Sequence, residues 1–136
     1  GGITLLALVD AALHFALDFI LFRGQVWGDP FANLPPGATP PPQPLPLPLN
    51  ELFVLNAVGY LVLVVAFWLA PRWLGRWSWL VSLAILGYAV AAIVGWMMYG
   101  KPNPNGLGYT SKAIEVVLVL IAAGYAWRTA RANAMA

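Results

Sequence analysis

The stretch Ile3–Phe22, ITLLALVDAALHFALDFILF, decides the fold class. A helix rises 1.5 Å per residue and needs about 20 apolar residues to cross roughly 30 Å of hydrocarbon. This run supplies that length, interrupted only by Thr4, Asp10, His14 and Asp18. Read as a helix, it places the three ionisable residues at i, i+4 and i+8, on one narrow stripe. A charge in lipid is costly, so such a stripe must face protein or water. With two aspartates inside it and no basic leader, the run reads as a membrane span rather than a signal peptide.

Three further runs have the same character: about Leu52 to Ala70, ended by Pro71; about Trp77 to Tyr99; and about Tyr109 to Trp127. The expected fold is an all-α integral membrane protein, an up-and-down bundle of four transmembrane helices forming a single domain over residues 1–136. Composition agrees, since 61% of the chain is hydrophobic and 9% is charged, against about 25% charged in soluble domains. The absence of cysteine excludes disulfides, thiolate metal sites and cysteine nucleophiles. Most of the seven tryptophans and five tyrosines lie near the ends of the apolar runs, where amphipathic rings anchor at the interface. The net charge of +2 is carried by scattered basic residues with no patch to track a phosphate backbone, so no nucleic-acid partner is expected.

Four crossings put both termini on the side of the loop between the second and third spans. That side holds Arg72, Arg76, Arg128 and Arg131 with no acidic residue, and the positive-inside rule makes it cytoplasmic. The expected location is a prokaryotic plasma membrane. The opposite side mixes Arg23, Asp29, Glu51 and Lys101 and carries two connections. The first, residues 24–50, holds nine of the twelve prolines and favours extended polyproline II structure. It reads either as a stiff connector or as a docking strap that presents Leu45, Leu47 and Leu49 to a partner. The second, GKPNPNGLGY, has the composition of compact turns.

Three spans carry polar stripes. Besides Asp10, His14 and Asp18, the second span has Asn56 and Tyr60 at i, i+4, and the fourth has Lys112 and Glu115 at i, i+3. Counted inward from the outer ends of the runs, Asp18, Asn56 and Glu115 fall roughly 8 to 10 Å deep and His14 and Tyr60 about 13 Å deep. One polar cluster in the outer half of the bundle is the economical arrangement. The third span instead carries Gly87, Ala91 and Gly95 at four-residue spacing, the small-xxx-small pattern of close helix contacts.

The cluster has several readings. It can be a network that only fixes helix register. It can be a metal site with His14, Asp18 and Glu115 as ligands, although Glu-x-x-His pairs are absent and Lys112 adds positive charge. A single histidine excludes a bis-histidine haem, and Asp10 and Asp18 oppose a flat macrocycle on that face; a quinone pocket at His14, Tyr60 and the tryptophans has no specific signature. The expectation is therefore no cofactor. Four spans with a membrane-embedded acid are similar in outline to the small multidrug-resistance exporters, which implies proton-coupled transport. The chain departs from them in its two first-span aspartates and 27-residue outer loop. Claudin-like proteins are set aside because their outer-loop cysteine pair is missing. No nucleophile elbow, phosphate loop, dinucleotide fingerprint or zinc-protease helix occurs, so soluble-type catalysis has no support. The leading expectation is a non-catalytic subunit that packs against other membrane-protein subunits and stabilises a larger membrane complex, such as an energy-converting one. The alternative is an intramembrane Asp/His/Glu site that binds a metal or cofactor or carries protons.

Overall fold

The computed structural model describes residues 1–23, 28, 35–39 and 46–135. Leu45 and most of the proline-rich connection lie outside these residues, as does their reading as a strap. Four helices make up the fold: α1 (Gly2–Phe22), α2 (Leu49–Trp73), α3 (Trp79–Met98) and α4 (Leu107–Ala134). Each is long and apolar enough to cross a membrane, and there is no strand among the described residues. Helices adjacent in sequence pack together, and α4 closes the ring onto α1. The seam between α2 and α3 is the least extensive of the four.

Several boundaries differ from the apolar runs. α2 does not stop before Pro71 but continues to Trp73, where the Leu74 N–H closes on the Ala70 carbonyl. In the last turn a proline forfeits one backbone hydrogen bond and little else, so the helix tolerates it. α4 runs seven residues past Trp127, through Arg128 and Arg131. Arginine is a good helix former whose long stem lies on apolar surface while its head stays in water. Arg131 is held this way, 4.8 Å from the Trp127 ring centroid. Both outer ends also start early, at Leu49 and Leu107 rather than Leu52 and Tyr109.

The bundle buries polar groups among small apolar residues and exposes large apolar ones. Its centre is built from small and aliphatic residues, with Ala7, Ala11, Ala57, Ile85, Ala89, Leu118 and Ala122 all buried. Asp10, Asn50, Ser82, Ser111 and Glu115 are fully buried beside them, while Phe19, Leu5, Trp68 and Leu120 are each more than 60% exposed. Two glycines permit close approaches. A side chain at Gly59 would run into the phenol of Tyr88, and one at Gly108 into the carbonyl of Pro102. The latter holds the second outer connection against the start of α4, together with the Asn103 side chain, which accepts from the Tyr109 N–H at 3.0 Å.

The first connection is tied down at its ends. Asn50 Nδ2 donates to the Gly28 carbonyl at 3.1 Å, and Gly28 N–H donates to Glu51 Oε1 at 3.1 Å. The Leu47 carbonyl accepts from the Tyr99 hydroxyl at 2.8 Å, so this leucine is fixed to the end of α3.

Candidate functional site

The i, i+4 spacing on α1 first fixes the imidazole of His14. Its Nδ1 lies 2.9 Å from the Asp10 carbonyl, a group that can only accept, so Nδ1 carries the proton. Nε2 is then an acceptor. It lies 2.6 Å from Asn56 Nδ2 on α2, which donates to it. The ring is held from two helices in one tautomer, with Phe53 edge-on at 5.9 Å and Tyr60 tilted at 6.2 Å.

The carboxylates come from opposite sides. Asp10 Oδ1 accepts from Ser111 Oγ at 2.7 Å, and Glu115 Oε2 accepts from Lys112 Nζ at 2.6 Å. The second oxygen of each acid is buried without a hydrogen bond. These atoms converge on the histidine, with Asp10 Oδ2 3.4 Å from His14 Nδ1 and Glu115 Oε1 3.8 Å from Nε2. One ligand atom from each of Asp10, His14 and Glu115 lies within 4.8 Å of the others. Tyr60 is fully buried against them, and its hydroxyl makes no hydrogen bond.

Of the residues singled out from the sequence, Asp10, His14, Asn56, Tyr60, Lys112 and Glu115 thus meet in one cluster. Asp18 does not join it, although it was expected at the depth of Asn56 and Glu115. The reason is vertical register. The pairs Asp10–Ser111 and His14–Glu115 are centred six residues inside the outer end of α4 but ten inside that of α1. α1 therefore overhangs α4 by about four residues, or roughly 6 Å. This puts Asp18 level with the start of α4, where it is buried with Oδ1 lacking a hydrogen bond. The acid that joins His14 and Glu115 is Asp10.

Gly87 and Ala91 lie exposed on α3, and a Cβ at Gly87 or Gly95 would meet no atom within 4 Å. Gly95 and Ala91 line a cleft of about 220 Å³ between α2 and α3 whose polar end is formed by His14, Asn56 and Lys112. Phe53, Tyr88 and Trp96 form its walls. Ser111, Phe53 and Tyr88 do not stand out in the sequence as site residues, and Trp96 does so only as one of seven tryptophans. Only Ser111 left a signal, standing at i−4 from Glu115 and so on the same helix face.

Two ionised carboxylates at Asp10 and Glu115 against one ammonium at Lys112 would leave the cluster with one negative charge in excess. A multivalent metal fits this donor set poorly. The His14 Nδ1 proton is committed to a carbonyl, the Nε2 lone pair is taken by Asn56, and an ammonium already occupies Glu115 Oε2. A proton fits better, because two acceptor oxygens without donors are what a shared proton bridges. No protein-family model, curated protein or solved structure matches this chain.

Proposed function

We propose that this chain is a four-span integral membrane protein whose interior binds and releases one proton at the Asp10–His14–Glu115 cluster, as a proton-coupled transport site does. Insertion is supported by the inverted surface, since contiguous exposed apolar area of this extent is untenable in water. The arginines at the ends of α2 and α4 support an orientation with that end cytoplasmic.

The carrying observation is the pair of buried carboxylate oxygens, Asp10 Oδ2 and Glu115 Oε1, that make no hydrogen bond and lie 3.4 and 3.8 Å from the two His14 nitrogens. An ionised carboxylate without compensation in an apolar interior is so unfavourable that the group neutralises instead. Lys112 compensates one acid, and one proton compensates the other. Asp10 Oδ2 and Glu115 Oε1 hold that proton between them, with Tyr60 buried beside them. Release restores the single negative charge, which the His14 Nδ1–H and the Lys112 ammonium help to bear. Because His14, Asn56 and Lys112 also line the cleft, occupancy of the cleft and protonation of the cluster are linked through the same side chains.

Infrared spectroscopy tests this. The protein at neutral pH should show the carbonyl band of one protonated carboxyl group in an apolar site. Asp10→Asn and Glu115→Gln should each abolish it. A spectrum with ionised carboxylates only would refute the proposal.

A second reading keeps the chain as a subunit that packs against a larger membrane complex. It is favoured by the exposed Gly87 and Ala91, whose small side chains leave the outer face of α3 open to another helix. The two readings meet at Ala91, which stands on this row and also lines the cleft, whereas Gly87 does not line it.

A further inference from the structure

The cleft between α2 and α3 is lined chiefly by apolar side chains, with His14, Asn56 and Lys112 among them. At 220 Å³ it is smaller than the roughly 300–1,000 Å³ of pockets that enclose a whole drug-sized ligand. It suits a head group whose tail stays outside, and the loose α2–α3 seam gives that tail a lateral exit.

Charge selects the head. Carboxylates lie behind the polar end, whereas the groups lining the cleft itself are the Asn56 amide, the Lys112 ammonium and His14. A cationic head would meet the ammonium directly. An anionic head would compete with Glu115 for the Lys112 ammonium and leave a buried acid uncompensated. A neutral hydrogen-bond acceptor avoids both penalties and takes a donor from Asn56 or Lys112. The aromatic walls, Phe53, Tyr88 and Trp96, favour a flat ring over a bulky or branched group.

We infer that the cleft binds a lipophilic compound with a neutral, planar, carbonyl-bearing head, the chemistry of a quinone, its carbonyl oxygen at Asn56 and Lys112 and its tail in the bilayer. The inference rests on the proton-site reading through the charge argument, and on the cleft geometry independently of it. Gly95 sets the width of the site, since nothing lies within 4 Å of a Cβ placed there and a larger side chain would project into the open space.

The test uses the purified full chain in nanodiscs, titrated with a benzoquinone bearing a decyl tail and read by tryptophan fluorescence quenching. Quenching should saturate near one ligand per chain, with a component that disappears in Trp96→Phe. Gly95→Leu, which fills the cleft, should weaken binding by about tenfold or more. Asn56→Leu, which removes a donor without filling it, should also weaken binding, and Gly87→Leu should leave it unchanged. Quenching that rises linearly with ligand and is equal in all variants would overturn the inference. So would saturable binding of oleate or tetraphenylphosphonium in place of the quinone. The infrared band of the same sample separates the two proposals. A protonated carboxyl without quinone saturation refutes the cleft assignment alone, and saturation without the band refutes the proton site alone.

Discussion

Asn56 on α2 donates to His14 Nε2 at 2.6 Å while His14 Nδ1 donates to the backbone of Asp10 on its own helix at 2.9 Å. A neutral imidazole clamped in this way has one tautomer available to it. Replacing Asn56 with leucine removes the donor at Nε2, while the Asp10 carbonyl still holds the proton on Nδ1. Nitrogen NMR of labelled histidine should show the Nδ1–H species in both proteins, with the Nε2 resonance shifted in Asn56→Leu by the loss of its hydrogen bond; a mixture of tautomers in the parent would show that the clamp does not hold. The accompanying loss of stability should be small, about 1 kcal/mol, as for other polar links between membrane helices.

Charge balance ranks the acid and base variants. Lys112→Met leaves Asp10 and Glu115 facing each other with no ammonium, and removing one partner of a buried ion pair typically costs about 3–5 kcal/mol. Glu115→Gln leaves Lys112 opposite Asp10 with no net charge and should cost clearly less. The double variant leaves Asp10 as a lone acid that one proton neutralises, as one proton does in the parent, and should recover much of what Lys112→Met lost. Unfolding midpoints in detergent give the order. A Lys112→Met protein as stable as the parent would show that the ammonium compensates nothing.

Which parts of this arrangement could be read from the chain depends on the range of the physics involved. The helices were legible because the length needed to cross lipid and the apolar composition of Leu52–Ala70 or Trp77–Tyr99 are local properties. The stripes Asp10/His14 and Lys112/Glu115 were legible because helical spacing alone puts each pair on one face. What could not be read was the height of one helix against another. The start of α4 is set by the close approach of Gly108 to Pro102 and by the bond from the Tyr109 N–H to Asn103, tertiary contacts with no periodic signature. That offset replaced Asp18 with Asp10 in the cluster and brought in Ser111. The cleft was illegible for the same reason, since it arises from the spacing between α2 and α3.

That spacing is controlled at Gly59. The Tyr88 phenol lies against its backbone and donates to the carbonyls of Leu55 and Asn56 at 3.2 and 3.3 Å. Gly59→Ala forces a methyl group into the phenol, and overpacking of this kind typically costs about 1–3 kcal/mol. Tyr88→Leu in the same chain removes the obstructing ring and should restore most of the loss. Thermal unfolding of the two single variants and the double variant measures the coupling between the sites. Simple additivity would mean that Tyr88 does not set the approach of these helices.

Gly87 separates the subunit reading from the cleft. A Cβ at this position meets nothing, so Gly87→Leu should leave the folded bundle within about 0.5 kcal/mol of the parent, as expected for a surface change. Between two helices, however, a leucine at a small-residue contact holds the backbones apart and removes the close packing on which membrane association depends. Gentle extraction from native membranes followed by mass spectrometry should therefore find a stoichiometric larger assembly with the parent chain and its loss with Gly87→Leu. Gly95→Leu serves as the comparison, because its side chain enters the cleft rather than the open face. If Gly87→Leu copurifies with the same assembly as the parent, α3 does not dock through this row, and the glycine there is only a lipid-facing residue.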